Sequence, residues 1–217
     1  MGACCLLGNA VEGGLKHMHK VFISYHRKND EDYKEKLLLD NLINPIFIDA
    51  SVDTGDISDD LDDPTIREKI RDEYLRNSTV TIVLVGLETK RRKHVDWEIY
   101  SSMIDGKINK KSGILVINLP SIKCTNFKAS HSGEKERLYP NTSWMTIDNR
   151  SEYESRYPYM PDRIIDNFLQ KEVKISVVSW EKIENDSSAL EFLIDVTSKD
   201  RLNCNYDLSR QMRRANS

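Results

Sequence analysis

The sequence predicts a doubly wound α/β fold, in which helices cover both faces of a parallel sheet. Short apolar, β-branched runs alternate with segments of helical periodicity along most of the chain. One run, residues 79–86, is apolar almost throughout, as expected of a central parallel strand. The chain has 217 residues, of which 39% are hydrophobic, so one domain with a substantial core is expected.

The first 117 residues contain four of the predicted strands. Asn29 or Asp30 is a candidate N-cap for the first helix, and Asn44-Pro45 ends that helix. Asp63-Pro64 supplies an N-cap and an N1 proline to the second helix. In chain order, strand 21–25, the first helix, strand 46–48, the second helix, strand 79–86, a third helix over 95–106 and strand 114–117 are predicted.

The second half is less regular. Residues 119–160 are polar and are expected to form a long loop. Pro161 opens a helix, residues 173–180 read as a fifth strand, and residues 187–196 form a closing helix. Five alternating strands predict the flavodoxin-like order 2-1-3-4-5. The domain is placed at residues 18–200, and residues 201–217 are expected to be a polar, frayed tail.

Residues 1–17 are assigned to an unstructured leader that folding and chemistry do not need. Met-Gly followed by Cys4 and Cys5 suggests lipidation, but Leu6 stands where the myristoylation pattern has Ser or Thr. The segment lacks the basic start of a secretory signal. A native leader and an over-long start, with Met18 as the true initiator, both remain open.

Composition excludes several classes of function. Lys plus Arg number 32 and Asp plus Glu number 35, and the net charge of −3 argues against general binding to nucleic acid. The sequence offers no apolar run of the ~18 residues that a membrane span needs. The four cysteines form no CxxC pair, so neither a zinc site nor a disulfide framework is expected, and the expected location is the cytoplasm.

Ligands of such sheets bind beyond the carboxyl ends of the strands, where the strand order reverses between strands one and three. Each candidate there has a structural alternative, such as packing for Tyr25, a structural role for His26 and turn capping for Asp49. The substrate-binding candidates at these strand ends are Ser24, Tyr25, His26, Asp49, Ser51 and Asn118. Glu98, at the start of the third helix, lies beside them.

Two segments resemble Toll/interleukin-1 receptor (TIR) domains. Val21-Phe22-Ile23-Ser24-Tyr25, followed by Asp30, is similar to their first sequence box. His94-Val95-Asp96-Trp97-Glu98-Ile99 resembles their third-helix motif, although many members have tryptophan where His94 stands. The closest resemblance is to bacterial TIR-like proteins of Thoeris-type antiphage defence, whose extended form residues 157–167 also resemble.

The resemblance implies an enzyme that cleaves the bond between nicotinamide and ribose in NAD. NAD is then the substrate, and no cofactor is needed. The ADP-ribose part becomes a signal, which in the defence branch of the family is often cyclic. Glu98 carries over as the catalytic residue, and Trp97 either stacks on nicotinamide or adenine or covers the core. Self-association and a phage-derived activator are also implied. The alternative is a non-catalytic TIR module that signals by homotypic assembly.

A glutamate side chain suits the cleavage of NAD that the resemblance implies. Breaking an N-glycosidic bond develops positive charge on the ribose, and a carboxylate beside the sugar stabilises it. Asp96 is expected to be neutral to substitution, because it lies on another side of the helix. The seven aspartates of residues 49–63 and the basic run 90–93 are interpreted as surface features that could meet across subunits. The basic run could also attract the NAD pyrophosphate.

Overall fold

The computed structural model describes residues 18–51 and 62–216. Within them, five strands form one parallel sheet in the order β2-β1-β3-β4-β5, which confirms the predicted fold class and strand order. The strands are β1 (His19–Ser24), β2 (Phe47–Asp49), β3 (Val80–Val85), β4 (Gly113–Asn118) and β5 (Ser176–Ser179).

Helices cover both faces of this sheet. They are α1 (Arg27–Ile43), α2 (Asp63–Lys69), α3 (Lys93–Ser102), α4 (Glu134–Leu138), α5 (Arg150–Arg156), α6 (Asp162–Phe168), α7 (Trp180–Ile183) and α8 (Ser187–Asp200). A π-helical turn, Ile70–Tyr74, continues α2, and 3-10 turns span Thr89–Arg91, Pro120–Ile122 and Arg201–Asn203.

The core follows from the alternation of side chains along the central strands. All residues of β3 and β4 are buried, as the apolar run predicted for β3. Ile82 and Leu84 pack on the face that α1 and α8 cover, whereas Val83 and Val85 pack on the face of α3 and α6. The sheet is therefore covered on both sides, and its carboxyl edge is left for a site.

Two helix starts differ from the predicted caps. Helix α1 begins at Arg27 after the N-cap residue His26, so Asp30 lies inside the first turn and is buried. A Cβ atom on Gly86 would come within 2.4 Å of Asp30 Oδ1, so the close approach requires glycine at the end of β3. At α2, the side chain of Asp62, not of Asp63, accepts the Thr65 N–H at 2.9 Å.

The prediction of an irregular loop over residues 119–160 is wrong in part, because α4 and α5 lie within it. Their few turns are too short for a periodic pattern to reveal. The prediction of a frayed tail after residue 200 is also wrong. Residues 204–216 pack on the domain and bury Cys204, Tyr206 and Met212, although single apolar residues in an extended segment show no periodicity.

The predictions for the leader 1–17 and for most of the aspartate-rich loop, residues 52–61, lie outside the described residues. In the part of the chain that the structure describes, no helix is both long enough and apolar enough to span a bilayer. The same part contains no group of three or more His, Cys, Asp or Glu side chains placed to hold a metal ion.

Candidate active site at the carboxyl edge of the sheet

A cavity of about 340 Å³ lies where β1 ends, between the first turns of α1 and α3. Four of the residues predicted from the sequence line it: Tyr25, His26, Ser51 and Glu98. The cavity therefore lies at the predicted reversal of strand order, between β1 and β3.

Glu98 is the carboxylate that α3 contributes to this cavity, and a residue at the end of β1 supports its side chain. The Ser24 hydroxyl, at the end of β1, donates to Glu98 Oε2 at 2.6 Å, a length typical of a charge-assisted bond. Ser24 is fully buried, and Glu98 is only 6% exposed. Although Ser24 was predicted to bind substrate, it lies behind Glu98 and does not line the cavity. Its position is that of a residue that orients the carboxylate.

Buried hydroxyl groups also hold the helix that carries Glu98. Ser102 donates its hydroxyl to the Glu98 carbonyl oxygen at 2.7 Å. The same hydroxyl lies 2.7 Å from Thr81 Oγ1 on β3. Val95 and Ile99 are buried on the same side of α3, against the sheet. The backbone beneath Glu98 is therefore tied to the central strand.

His26 contributes an imidazole to the cavity wall. Its carbonyl oxygen accepts the Asn29 and Asp30 N–H groups at the start of α1, while its Nδ1 atom is buried without a hydrogen-bond partner among the described residues. Burial, and secondarily the positive charge of Arg92, lower the pKa of His26 below its usual value. The ring is therefore neutral at pH 7 and offers a polar nitrogen to a ligand.

Asp49 and Ser51 were each predicted either to bind substrate or to cap the turn after β2, and the structure places them differently. Asp49 Oδ1 accepts the Ser51 N–H at 2.9 Å, so Asp49 holds the turn after β2 and does not line the cavity. Ser51 Oγ accepts the Ile23 N–H at 3.1 Å, which places Ser51 beside the end of β1. Ser51 does line the cavity.

Trp97 and Asn118 are not brought to this cavity. Trp97 is 1% exposed and packs with Phe22, Ile66 and Met212. Of its two predicted roles, the structure therefore shows the one in the core. Its indole Nε1 donates to the Arg213 carbonyl oxygen at 2.7 Å. Asn118 lines a separate cavity of about 450 Å³ at the ends of β4 and β5.

Several residues that line the cavity were not among the predicted site residues. Arg27, Glu31 and Lys34 lie on one side of α1, at the i, i+4 and i+7 spacing that could have identified them. Arg92 was considered only as part of the basic run that could attract the pyrophosphate; it lines the cavity and pairs with Glu88 at 2.7 Å. Two further residues lining the cavity are His94, which makes an edge contact with Trp97, and Asn216, which no local pattern could have indicated.

The strand order and a glutamate of the third helix beside the strand-one cavity define the class of protein as a TIR-like α/β domain. Residues 22–123 match the family described as Thoeris protein ThsB, TIR-like domain. The match confirms the resemblance to Thoeris TIR-like proteins seen in the sequence, and it supports a place in antiphage defence signalling. No curated protein matches the chain.

Proposed function

We propose that this protein cleaves NAD between nicotinamide and ribose and converts the ADP-ribose part into a signal, linear or cyclic, of antiphage defence. The observation that carries the proposal is the Glu98 carboxylate on the cavity wall, with the Ser24 hydroxyl donating to it at 2.6 Å. The match of residues 22–123 to the Thoeris TIR-like domain supports the defence role.

In the proposed reaction, nicotinamide leaves with the electron pair of the glycosidic bond, and positive charge develops on the ribose. The Glu98 carboxylate stabilises that charge, and its burial strengthens the interaction because the local dielectric is low. The ribosyl cation is then captured by water, which gives ADP-ribose, or by a nucleophilic atom of the same ADP-ribose, which gives a cyclic product. Positively charged nicotinamide becomes neutral as it leaves, so the departure needs no acid.

The charges around the cavity also suit a dinucleotide. Arg27, Lys34 and Arg92 contribute positive charge to its wall, and Glu31 offsets part of it. These cations favour a pyrophosphate near the rim. A volume of about 340 Å³ is at the lower end of the ~300–1,000 Å³ typical of ligand pockets. It fits the nicotinamide and ribose half of NAD, with the remainder of the molecule at the opening.

Self-association and a phage-derived activator, which the family resemblance implies, are included in the proposal. They bear on when the enzyme is active, whereas the chemistry assigned to Glu98 concerns a single cavity. Activity is therefore to be measured both with purified protein alone and with lysate of infected cells.

The test is the substitution Glu98→Gln, which keeps the shape and a hydrogen-bond acceptor for Ser24 but removes the charge. Loss of one preorganised electrostatic contact costs about 10²–10³ in rate, so NAD consumption is expected to fall by that factor. NAD binding is expected to survive better than turnover, because the charge matters most in the transition state. Mass spectrometry of the products would identify a linear or a cyclic ADP-ribose.

Glu136→Gln is the matched control, because Glu136 is exposed on α4 and does not line the cavity. It is expected to leave the rate unchanged, and melting curves of both variants should match that of the wild type. A Glu98→Gln protein that consumes NAD at the wild-type rate would remove the catalytic assignment. If the wild type consumed no NAD even with infected-cell lysate, the non-catalytic interaction module would be the better interpretation.

A further inference from the structure

Residues 204–216 cross the outer side of α3 and end at the candidate active site. Met212 is buried against Trp97 and Ile66, and the Trp97 indole donates to the Arg213 carbonyl oxygen at 2.7 Å. At the end of this segment, Asn216 lines the cavity that contains Glu98. A part of the chain more than a hundred residues from α3 therefore supplies one wall of the cavity.

Buried charges hold the segment in place. Arg163 on α6 donates to both carboxylate oxygens of Asp96 at 3.0 Å, and it also donates to the carbonyl oxygens of Arg210 and Gln211. Asp96 Oδ2 accepts the Arg213 N–H at 2.8 Å as well. Because Arg163 is only 1% exposed, these bonds are protected from water and fix the path of the segment beside α3.

Asn216 supplies a cap that α3 lacks locally. The N-cap residue, Arg92, has no acceptor in its side chain, and the side-chain oxygen of Asn216 accepts the Lys93 N–H at 2.9 Å. This bond fixes which end of the amide is oxygen. The nitrogen Nδ2 remains as a donor, and it makes no hydrogen bond within residues 18–51 and 62–216.

We propose that Asn216 is a substrate-binding residue, and that its Nδ2 donates to an oxygen of the pyrophosphate of NAD. Asn216, Arg92 and His94 lie together on the cavity wall at the start of α3, so that wall is rich in donors and suits an anionic oxygen. The inference rests on the proposed function, because it takes the ligand to be a dinucleotide. It adds a contact from the C-terminal segment, outside the matched region 22–123.

The test compares two probes by calorimetry: ADP-ribose, which carries the pyrophosphate, and nicotinamide riboside, which does not. Asn216→Ala removes both the cap and the donor, whereas Asn216→Asp keeps an oxygen for the Lys93 N–H and replaces the donor by a negative charge. Both variants are expected to bind ADP-ribose at least about tenfold more weakly, since a hydrogen bond to a charged group is lost. Nicotinamide riboside, which is a cation without a phosphate, should bind to Asn216→Ala as to the wild type.

Gln211→Ala is the control, because it removes an exposed carboxamide from the same segment and keeps the backbone carbonyl that Arg163 contacts. It should bind both probes normally. Asn216→Asp that binds ADP-ribose as tightly as the wild type, or equal losses for both probes, would overturn the inference and leave Asn216 as a helix cap. Wild-type protein that binds ADP-ribose in this Asn216-dependent way but consumes no NAD would support the inference and contradict the proposed function.

Discussion

The hydroxyl of Ser24 fixes one oxygen of the only carboxylate that α3 presents to the cavity among the described residues. Ser24→Ala removes this bond and so weakens the hold on the orientation of the Glu98 carboxylate. A hydrogen bond to a charged group is worth about 1.5–3 kcal/mol, so kcat for NAD cleavage should fall by roughly 10- to 100-fold. KM should change little, because Ser24 does not line the cavity. Steady-state kinetics over a range of NAD concentrations would separate the two parameters.

Ser101→Ala is the matched control for this prediction. Ser101, like Ser24, is fully buried, and it lies on α3 with Glu98. Its hydroxyl has no hydrogen-bond partner among the described residues. Its loss should leave kcat and KM at their wild-type values. If Ser24→Ala raised KM with kcat unchanged, Ser24 would act on substrate binding and not on the orientation of Glu98.

Residues at strand ends could be predicted for the site because strand ends are set by local sequence. Tyr25, His26 and Ser51 follow β1 and β2 directly, and they line the cavity. The direction of a helical side chain was harder to predict. Trp97 precedes Glu98 by one position, about 100° around the helix, and it therefore faces the core. Asn216 could not be predicted, since only tertiary packing brings it to α3.

Helix α3 packs between the sheet and the C-terminal segment, residues 204–216. Asp96, which the sequence analysis expected to tolerate substitution, is 9% exposed and pairs with the buried Arg163. The structure overturns the reason for that expectation, since Asp96 has buried partners. These partners, Arg163 and the Arg213 N–H, come from distant parts of the chain and could not be seen in the local sequence. Asp96 is thus a structural residue of the helix that carries Glu98.

Asp96→Asn should therefore destabilise the protein. It removes the negative charge beside a buried guanidinium, and breaking a buried pair in this way costs about 3–5 kcal/mol. Urea unfolding, followed by circular dichroism, would measure the change. Asp32→Asn, on the exposed side of α1, is the control and should stay within about 0.5 kcal/mol of the wild type. Equal midpoints for the two variants would mean that the Asp96–Arg163 pair contributes no net stability.

Elements with a local sequence pattern could be predicted, whereas elements that depend on distant contacts could not. β3 and β4 are apolar runs bounded by polar residues, and each prediction fell within two residues of the observed ends. α4 and α5 have five and seven residues, too few for a helical period to emerge from polar sequence. Their positions depend on contacts such as the Tyr153 ring against Phe168 of α6.

The dependence of the protein's stability on pH should reveal a buried carboxyl group. Burial raises the pKa of Asp30 to about 6, and a hydrogen bond from the Thr89 hydroxyl offsets part of the effect. The folded protein therefore binds this proton more tightly than the unfolded chain. The resulting stabilisation is complete below the unfolded pKa of about 3.9 and is lost as the pH rises through about 6.

Asp30→Asn removes this titration and keeps the size of the side chain beside Gly86. The unfolding free energy of the variant, relative to the wild type, should thus increase by about 2 kcal/mol between pH 4 and pH 8. Comparing the two proteins is necessary because burial lowers the pKa values of His26 and His131, which gives the wild type an opposing slope near pH 6.5. Urea unfolding at several pH values would measure the difference. Parallel profiles for Asp30→Asn and the wild type would show that Asp30 has the same pKa folded and unfolded.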